Sequence, residues 1–264
     1  MNNEKNRQEN RKALKIYIPF LIVMAVIGGI LGLISTTAAA HRLTSYIEAS
    51  FDKVVYMISP WAVLAFTAAG MIIAAIYYKR GRELYSKSIG GQDDDILDEM
   101  FRKVDVNISK VMMAINVCEI ASMIFFAATI AYIEDYIKYN KNIYIMVLVV
   151  FVAGNFIRVK MQQMAVDFVK IMNPEKCGSV YDLSFQKKWE DSCDEFEMFT
   201  RYKAAYKAYR TSTLVCIAVF TALLILNFFF AYGPLPNMAV GIIWLVSTVA
   251  YCKEAMKIDT DKEN

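Results

Sequence analysis

The stretch that decides the fold is TLVCIAVFTALLILNFFFAY, residues 213–232, which contains no charged side chain. A helix needs about 20 consecutive apolar residues to cross the hydrocarbon core of a bilayer, and this stretch supplies them. Residues 16–40 form a second uncharged run. Of the 264 residues, 57% are hydrophobic, whereas soluble domains contain about 45–50%. The composition excludes a soluble enzyme, a secreted disulfide scaffold and a disordered regulator, and it makes the lipid bilayer the first expected partner.

Working outward from this stretch, the hydropathy pattern predicts an all-α, polytopic bundle of six transmembrane helices. A basic tail, residues 1–15, precedes a single membrane domain that covers residues 16–264. The fifth and sixth spans are joined by the Gly-Pro-Leu-Pro-Asn sequence at 233–237, which is long enough only for a tight hairpin. The predicted spans are 16–38, 58–78, 110–133, 143–160, 212–232 and 235–252.

The first span has an alternative interpretation. Its basic leader, its apolar run and the Ala38-Ala39-Ala40 sequence resemble a cleavable signal peptide. The apolar run is longer than the roughly 7–15 residues of a signal-peptide core, so we expect a retained membrane anchor.

The distribution of Lys and Arg predicts the orientation of the bundle. Of 29 such residues, 24 lie in the two tails, in the 79–107 segment and in the 158–210 segment, whereas the intervening loops hold four. Because cytoplasmic loops of membrane proteins are enriched in Lys and Arg, both termini and both long segments are expected to be cytoplasmic. The net charge of +3 therefore relates to topology, and no nucleic-acid partner is expected.

The 158–210 segment is the largest predicted soluble part and has the pattern of a helical hairpin. Its first helix should extend the fourth span as far as the Asn173-Pro174 pair. A second helix is predicted from about Leu183 to Arg210. The apolar face of that helix is the candidate surface for docking a partner, and it includes Trp189, Phe196 and Phe199.

A lone carboxylate marks the third span. Glu119 lies near its centre, where an ionised carboxylate costs at least about 2.5 kcal/mol. Asn116 and Ser122 lie three residues to either side, so the three residues form a predicted intramembrane polar seam that faces the bundle interior. Arg158 and Lys160 are expected to snorkel to the inner boundary, which leaves Glu119 without a cationic partner. The seam could couple a proton or cation, or it could join helices through hydrogen bonds.

Small residues at a spacing of four predict close helix packing. They are Gly28 and Gly32 in the first span, with Ala65 and Ala69, then Gly70 and Ala74, in the second span. An oligomer interface is the alternative role for these residues.

The cytoplasmic segment carries a resemblance to a known family. The run NPEKCGSVYD at 173–182, the FQKKW run at 185–189 and the SCDE run at 192–195 are similar to a bacterial membrane family named domain of unknown function 3169. The YKAAYKAY run at 202–209 extends the similarity. The resemblance implies a multi-span protein of the bacterial plasma membrane, and it implies no activity and no catalytic residue.

No catalytic constellation accompanies these features. The chain has one histidine, which excludes a multi-histidine metal site, and it lacks a phosphate-binding GxxxxGK[ST] loop. We therefore expect neither enzymatic activity nor a cofactor. The favoured function is a non-catalytic membrane component that assembles with a transporter or regulatory protein, or with a second copy of itself. The alternative is an autonomous transporter of small solutes or ions that uses Glu119.

Overall fold

The computed structural model describes residues 37–88, 94–230 and 232–261, together with 18–19, 22–23, 25–30 and 33–34. These residues are predominantly helical, and none of them forms a strand. The seven helices with defined bounds are α1 Ala38–Ser88, α2 Asp94–Ala131, α3 Ile133–Tyr139, α4 Lys141–Met172, α5 Phe185–Asp191, α6 Glu195–Leu226 and α7 Leu235–Asp261. The all-α class predicted from the sequence is therefore confirmed for the described residues.

Five of the described helices are long and apolar enough to cross a membrane. Their candidate spans are Arg42–Ser88, Glu99–Ala131, Lys141–Met172, Glu195–Leu226 and Leu235–Glu254. They overlap the second to sixth predicted spans, although two of the helices end at Ala131 and Leu226, before the predicted ends at 133 and 232. Part of the first predicted span lies outside the described residues, as do the basic tail that begins the signal-peptide alternative and Gly32 of the first small-residue pair.

Helix α1 is much longer than the predicted second span. Its 51 residues extend for about 75 Å, more than twice the thickness of the hydrocarbon core. Residues 41–57, which precede the predicted second span, belong to this helix. Pro60 lies inside α1 and removes one backbone hydrogen bond from it.

Helix α2 buries a stripe of residues at alternating intervals of four and three. Because this repeat averages 3.5 residues per turn, it keeps one face of α2 toward its neighbours over several turns. The buried residues on the stripe are Val104, Ile108, Val111, Ile115, Cys118, Ser122 and Thr129. The apolar part of the stripe packs with Ala74, Ala165 and Phe168 into one hydrophobic cluster.

The 158–210 segment differs from the predicted hairpin in its second helix. Helix α4 ends at Met172, as the Asn173-Pro174 pair predicts, and residues 173–184 form turns. The predicted helix from Leu183 to Arg210 is wrong in its continuity, because residues 192–194 separate α5 from α6.

A capping box explains why α6 begins where it does. The backbone N–H of Glu197 donates to Asp194 Oδ1 at 2.7 Å, and the backbone N–H of Asp194 donates to Glu197 Oε2 at 3.3 Å. Reciprocal bonds of this kind satisfy two donors at the start of a helix. From this cap, α6 runs without interruption to Leu226, within the fifth predicted span, and the residues after Leu226 form turns.

The chain divides into two compact units, one of residues Ser50–Met198 and one of residues Met1–Ala49 with Phe199–Asn264. The first unit holds the hydrophobic cluster and the contacts of α1, α2 and α4. In the second unit, α6 and α7 form a hairpin whose turn contains Gly233 with a φ of +77°. The rings of Tyr209 and Tyr251 stack at 4.4 Å, and Asn237 Nδ2 donates to the Phe220 carbonyl at 3.3 Å.

Candidate functional site

Arg158 lies buried in the interface of α1, α2 and α4. Its side chain is 1% exposed, and Nη2 donates to Thr67 Oγ1 at 2.8 Å and to Ser122 Oγ at 3.3 Å. The two hydroxyl oxygens are 3.2 Å apart and share another hydrogen bond. Since Thr67 and Ser122 lie near the middle of their predicted spans, the guanidinium is held at mid-span depth. The prediction that Arg158 snorkels to the inner boundary is therefore wrong.

The direction of a helical side chain explains this correction. Every Cα–Cβ bond in an α-helix tilts toward the N-terminus, and a long side chain covers the preceding turn. Arg158 therefore reaches from its own position in α4 back toward the middle of Lys141–Met172. The backbone of Arg158 lies near the end of the predicted span. Its guanidinium lies about one helical turn, roughly 5 Å, closer to the middle.

Two glycines permit the close helix packing that encloses Arg158. A Cβ atom on Gly154 would lie 2.5 Å from Thr67 Cγ2, and one on Gly70 would lie 2.8 Å from Cys118 Cβ. Helix α4 therefore approaches α1 at Gly154, and α1 approaches α2 at Gly70. Gly70 belongs to the predicted small-residue motif, whereas the role of Gly154 was not predicted.

The buried guanidinium is incompletely hydrogen-bonded. Arg158 Nε and Nη1 have no hydrogen-bond partner among the described residues. A buried cation is costly unless an anion or further hydrogen bonds compensate it. Glu119 interacts electrostatically with Arg158, so the carboxylate identified in the sequence has a cationic neighbour in the same interface.

The three residues of the predicted polar seam occupy different environments. Ser122 is buried on the α2 stripe, Glu119 is half-buried beside it, and Asn116 is exposed. The seam prediction is therefore wrong for Asn116, because the inward face of α2 follows Ile115 and Cys118 instead. Asn116 still joins two helices, since Gln162 Nε2 of α4 donates to Asn116 Oδ1 at 3.1 Å.

A second polar cluster compensates for Pro60 in α1. Proline has no backbone N–H, so the Tyr56 carbonyl loses its partner within the helix. The hydroxyl of Tyr136, which is 2% exposed, donates to this carbonyl. The two tyrosine rings stack with centroids 4.4 Å apart, and Asn140 Nδ2 donates to the Tyr56 hydroxyl at 2.9 Å. Tyr136 thereby joins α3 to α1 at the site that Pro60 leaves unsatisfied.

Tyr132 makes two further contacts with α1 close to Tyr56. Its hydroxyl donates to Asp52 Oδ1 at 2.8 Å, and its ring meets that of Tyr56 edge-on with centroids 5.9 Å apart.

The segment that carries the family resemblance folds around a buried lysine. The Lys176 side chain is 3% exposed, and its Nζ donates to the Glu197 carboxylate and, at 3.1 Å, to the Ser192 carbonyl. Burial alone would lower the pKa of Lys176, but the hydrogen bond and charge of Glu197 outweigh burial and raise it. Lys176 thereby ties the turn after α4 to the first turn of α6.

Further contacts fix the same segment. Gln163 Oε1 of α4 accepts from Ser179 Oγ at 3.0 Å and from the Val180 backbone at 2.7 Å. Gly178 has a φ of +120°, and a Cβ atom there would lie 2.9 Å from the Phe185 ring. The conformation and the close contact both require glycine at this position.

The predicted docking residues lie at the edge of this fixed segment. Trp189 is half-buried and packs with Phe185, whose ring centroid is 5.5 Å away. Phe196 and Phe199, on the first two turns of α6, are 77% and 64% exposed. The predicted apolar face therefore divides into one packed residue and two exposed ones.

Metal binding has no support within the described part of the chain, where no three His, Cys, Asp or Glu side chains are grouped to hold an ion.

Comparison of the sequence with known proteins identifies the family of this chain. No curated protein and no solved structure matches the chain. The family described as "Protein of unknown function (DUF3169)" matches residues 10–255, which include all five candidate spans and both polar clusters. The match also includes the runs between 173 and 195 and at 202–209 that carry the resemblance. The chain belongs to this family.

Proposed function

We propose that this protein is a non-catalytic component of a membrane-protein assembly and that it docks a membrane or cytoplasmic partner through its 158–210 segment. The observation that supports this proposal is the exposure of Phe196 and Phe199 directly beside Glu197, whose carboxylate holds the buried Lys176. Exposed phenylalanine rings on a soluble segment favour contact with another apolar surface.

The rigidity of the segment supports the same proposal. Glu197 caps α6 and binds Lys176, so the helix turns that carry the two phenylalanines are already ordered. A partner that binds an ordered surface loses less conformational entropy than one that must first fold a loop. Large aromatic side chains are also those that most often contribute strongly to protein interfaces.

The surrounding membrane context is part of the proposal. The apolar runs support six spans, the family resemblance supports a bacterial plasma membrane, and the distribution of Lys and Arg supports both termini in the cytoplasm. In that orientation the 158–210 segment faces the cytoplasm, where it is accessible to a soluble regulator and to the cytoplasmic part of a membrane subunit. A second copy of the chain is the other expected partner.

Purification from native membranes in mild detergent, followed by mass spectrometry, tests the docking proposal. A stoichiometric partner should be recovered with the wild-type chain and lost with the Phe196→Ala/Phe199→Ala variant. A matched control is Phe156→Ala/Phe228→Ala, which removes two exposed rings from predicted spans. Unchanged recovery with the first variant, or equal loss with the control, would contradict docking at this surface.

The alternative function is transport by the chain alone. It is favoured by one observation, the electrostatic interaction of Glu119 with buried Arg158 at mid-span depth. Ionisable side chains inside a membrane commonly mark ion or proton pathways. Proteoliposomes loaded with a pH-sensitive dye provide the test under an imposed pH gradient. Wild-type protein should dissipate the gradient faster than Glu119→Gln, and equal rates would remove the support for transport.

A further inference from the structure

A basic groove lies between the C-terminal part of α1 and the N-terminal part of α2. Its volume is about 280 Å³, and six residues line it: Leu84, Arg102, Lys103, Val106, Asn107 and Lys110. Three of the six are cations, and no lining residue is acidic. The docking proposal and the polar cluster at Arg158 do not use this groove.

The lining cations differ in their carboxylate partners. Lys103 forms an ion pair with Glu99 at 2.7 Å, and Glu99 also acts electrostatically on Arg102, whereas Lys110 forms no ion pair with a described carboxylate. Lys110 Nζ lies 5.2 Å from the centre of the Tyr77 ring. Arg80 approaches the same ring to within 5.7 Å, so a further cation lies close to this end of the groove.

The position of the groove matches the headgroup layer of a bilayer. Lys110 is the first residue of the third predicted span, and Tyr77 is the last but one of the second. From Lys110 the groove follows α2 for two helical turns, about 12 Å, to Arg102. The headgroup layer extends about 5–8 Å beyond the hydrocarbon on each side, so the part of the groove next to Lys110 lies within this layer and the part at Arg102 extends beyond it. Leu84 and Val106 give the groove apolar walls next to its cations.

We propose that this groove binds the headgroup phosphate of one anionic phospholipid. A guanidinium such as that of Arg102 donates two parallel hydrogen bonds to phosphate oxygens, and Lys110 adds a point charge at the hydrocarbon boundary. Basic pockets beside spans on the cytoplasmic side recognise anionic headgroups in this way. The predicted orientation places the groove on that side.

Native mass spectrometry of the detergent-purified, full-length chain tests the proposal by titration with phosphatidylglycerol and with phosphatidylcholine. The wild-type chain should retain one phosphatidylglycerol with at least about tenfold preference over phosphatidylcholine. Arg102→Gln/Lys110→Gln should lose most of this preference. The control, Lys138→Gln/Lys141→Gln, also removes two exposed cations, but at the opposite end of the spans, and it should keep the preference.

Three results would overturn the proposal. The first is equal retention of the two lipids by the wild-type chain. The second is an equal loss of preference in both variants, which would mean that total charge, and not this groove, determines lipid binding. The third is displacement of phosphatidylglycerol by millimolar inorganic phosphate, which would identify a soluble anion as the ligand. Because the readout is lipid retention, its failure leaves the docking proposal unaffected.

Discussion

At the scale of single residues, the electrostatic interaction between Arg158 and Glu119 should contribute to the free energy of unfolding of the first unit. Both residues lie in the interface of packed helices, and Glu119 acts electrostatically on the buried guanidinium without forming an ion pair with it. Removing one member of such a pair leaves the other uncompensated, so a single substitution should cost more than the lost interaction alone.

A double-mutant cycle measures this relation. Arg158→Met keeps much of the side-chain volume, and Glu119→Gln keeps the shape of the carboxylate. We expect each substitution to lower the free energy of unfolding and the pair to cost about 1 kcal/mol less than the sum of the two. Thermal unfolding in detergent provides the values, and strict additivity would contradict the coupling.

Gly154 gives a second prediction at this scale. In a helix, Gly→Ala normally stabilises by about 1 kcal/mol, but here the new methyl group would meet Thr67 Cγ2 at 2.5 Å. Gly154→Ala should therefore destabilise by about 1–3 kcal/mol. Adding Thr67→Ser removes the opposing methyl group, keeps the hydroxyl that binds Arg158, and should restore most of the stability.

The control for this prediction is Gly29→Ala, since a Cβ atom there meets nothing within 4 Å. Thermal unfolding should show little change or a small gain for the control. Equal effects of Gly154→Ala and Gly29→Ala would contradict the close approach of α4 to α1.

At the scale of helices, Pro60 and Tyr136 should behave as a compensating pair. Tyr136→Phe removes the donor to the Tyr56 carbonyl and should cost about 1–3 kcal/mol, because a buried acceptor then loses its partner. In a Pro60→Ala background, the restored backbone N–H can bond to that carbonyl, so the same substitution should cost less. Chemical denaturation of the four proteins measures the difference. Equal costs in both backgrounds would contradict the idea that the Tyr136 hydroxyl compensates for the N–H that Pro60 lacks.

The Lys176–Glu197 pair predicts a pH dependence for the turn between α4 and α6. The pKa of Lys176 is raised above its usual value of 10.5, so the folded state keeps a proton that the unfolded chain loses. Its contribution is complete below pH 10.5 and is lost as pH rises through the folded pKa. Unfolding measured from pH 9 upward should therefore show a smaller alkaline loss for Lys176→Met than for the wild type. Lys188→Met removes an exposed lysine of the same segment and should leave the alkaline loss unchanged.

The helices also show which features a sequence reveals. The end of α4 and the hairpin before α7 were predictable, because Asn-Pro and Gly-Pro-Leu-Pro-Asn restrict the backbone locally. The break between α5 and α6 was missed although its cause, Asp194 and Glu197 at capping-box spacing, is present in the sequence. Arg158 was misplaced because its depth was judged from backbone position, whereas its partners come from α1 and α2. Such tertiary contacts leave no local pattern.

At the scale of the whole molecule, burial differs between the spans. The most apolar stretch of α1 is 39% buried, whereas those of α6 and α7 contain no buried residue. Helices α6 and α7 contact each other through Tyr209 and Tyr251, but this contact buries no residue in those stretches. The apolar surface that the hairpin leaves exposed would contact lipid or another protein, as the proposed assembly requires.

The topology proposed from the Lys and Arg distribution is testable with the cysteines. Cys177 is exposed in the 158–210 segment, and Leu43 is exposed near the start of α1, on the opposite side of the membrane in the proposed orientation. Single-cysteine variants that retain Cys177, or that carry Leu43→Cys alone, can be treated with a membrane-impermeant maleimide. In intact cells without an outer membrane barrier, Leu43→Cys should react and Cys177 should not, whereas inside-out vesicles should reverse the pattern. Reaction of Cys177 in intact cells would show that the orientation is opposite to the proposed one. A partner would then reach Phe196 and Phe199 from outside the cell.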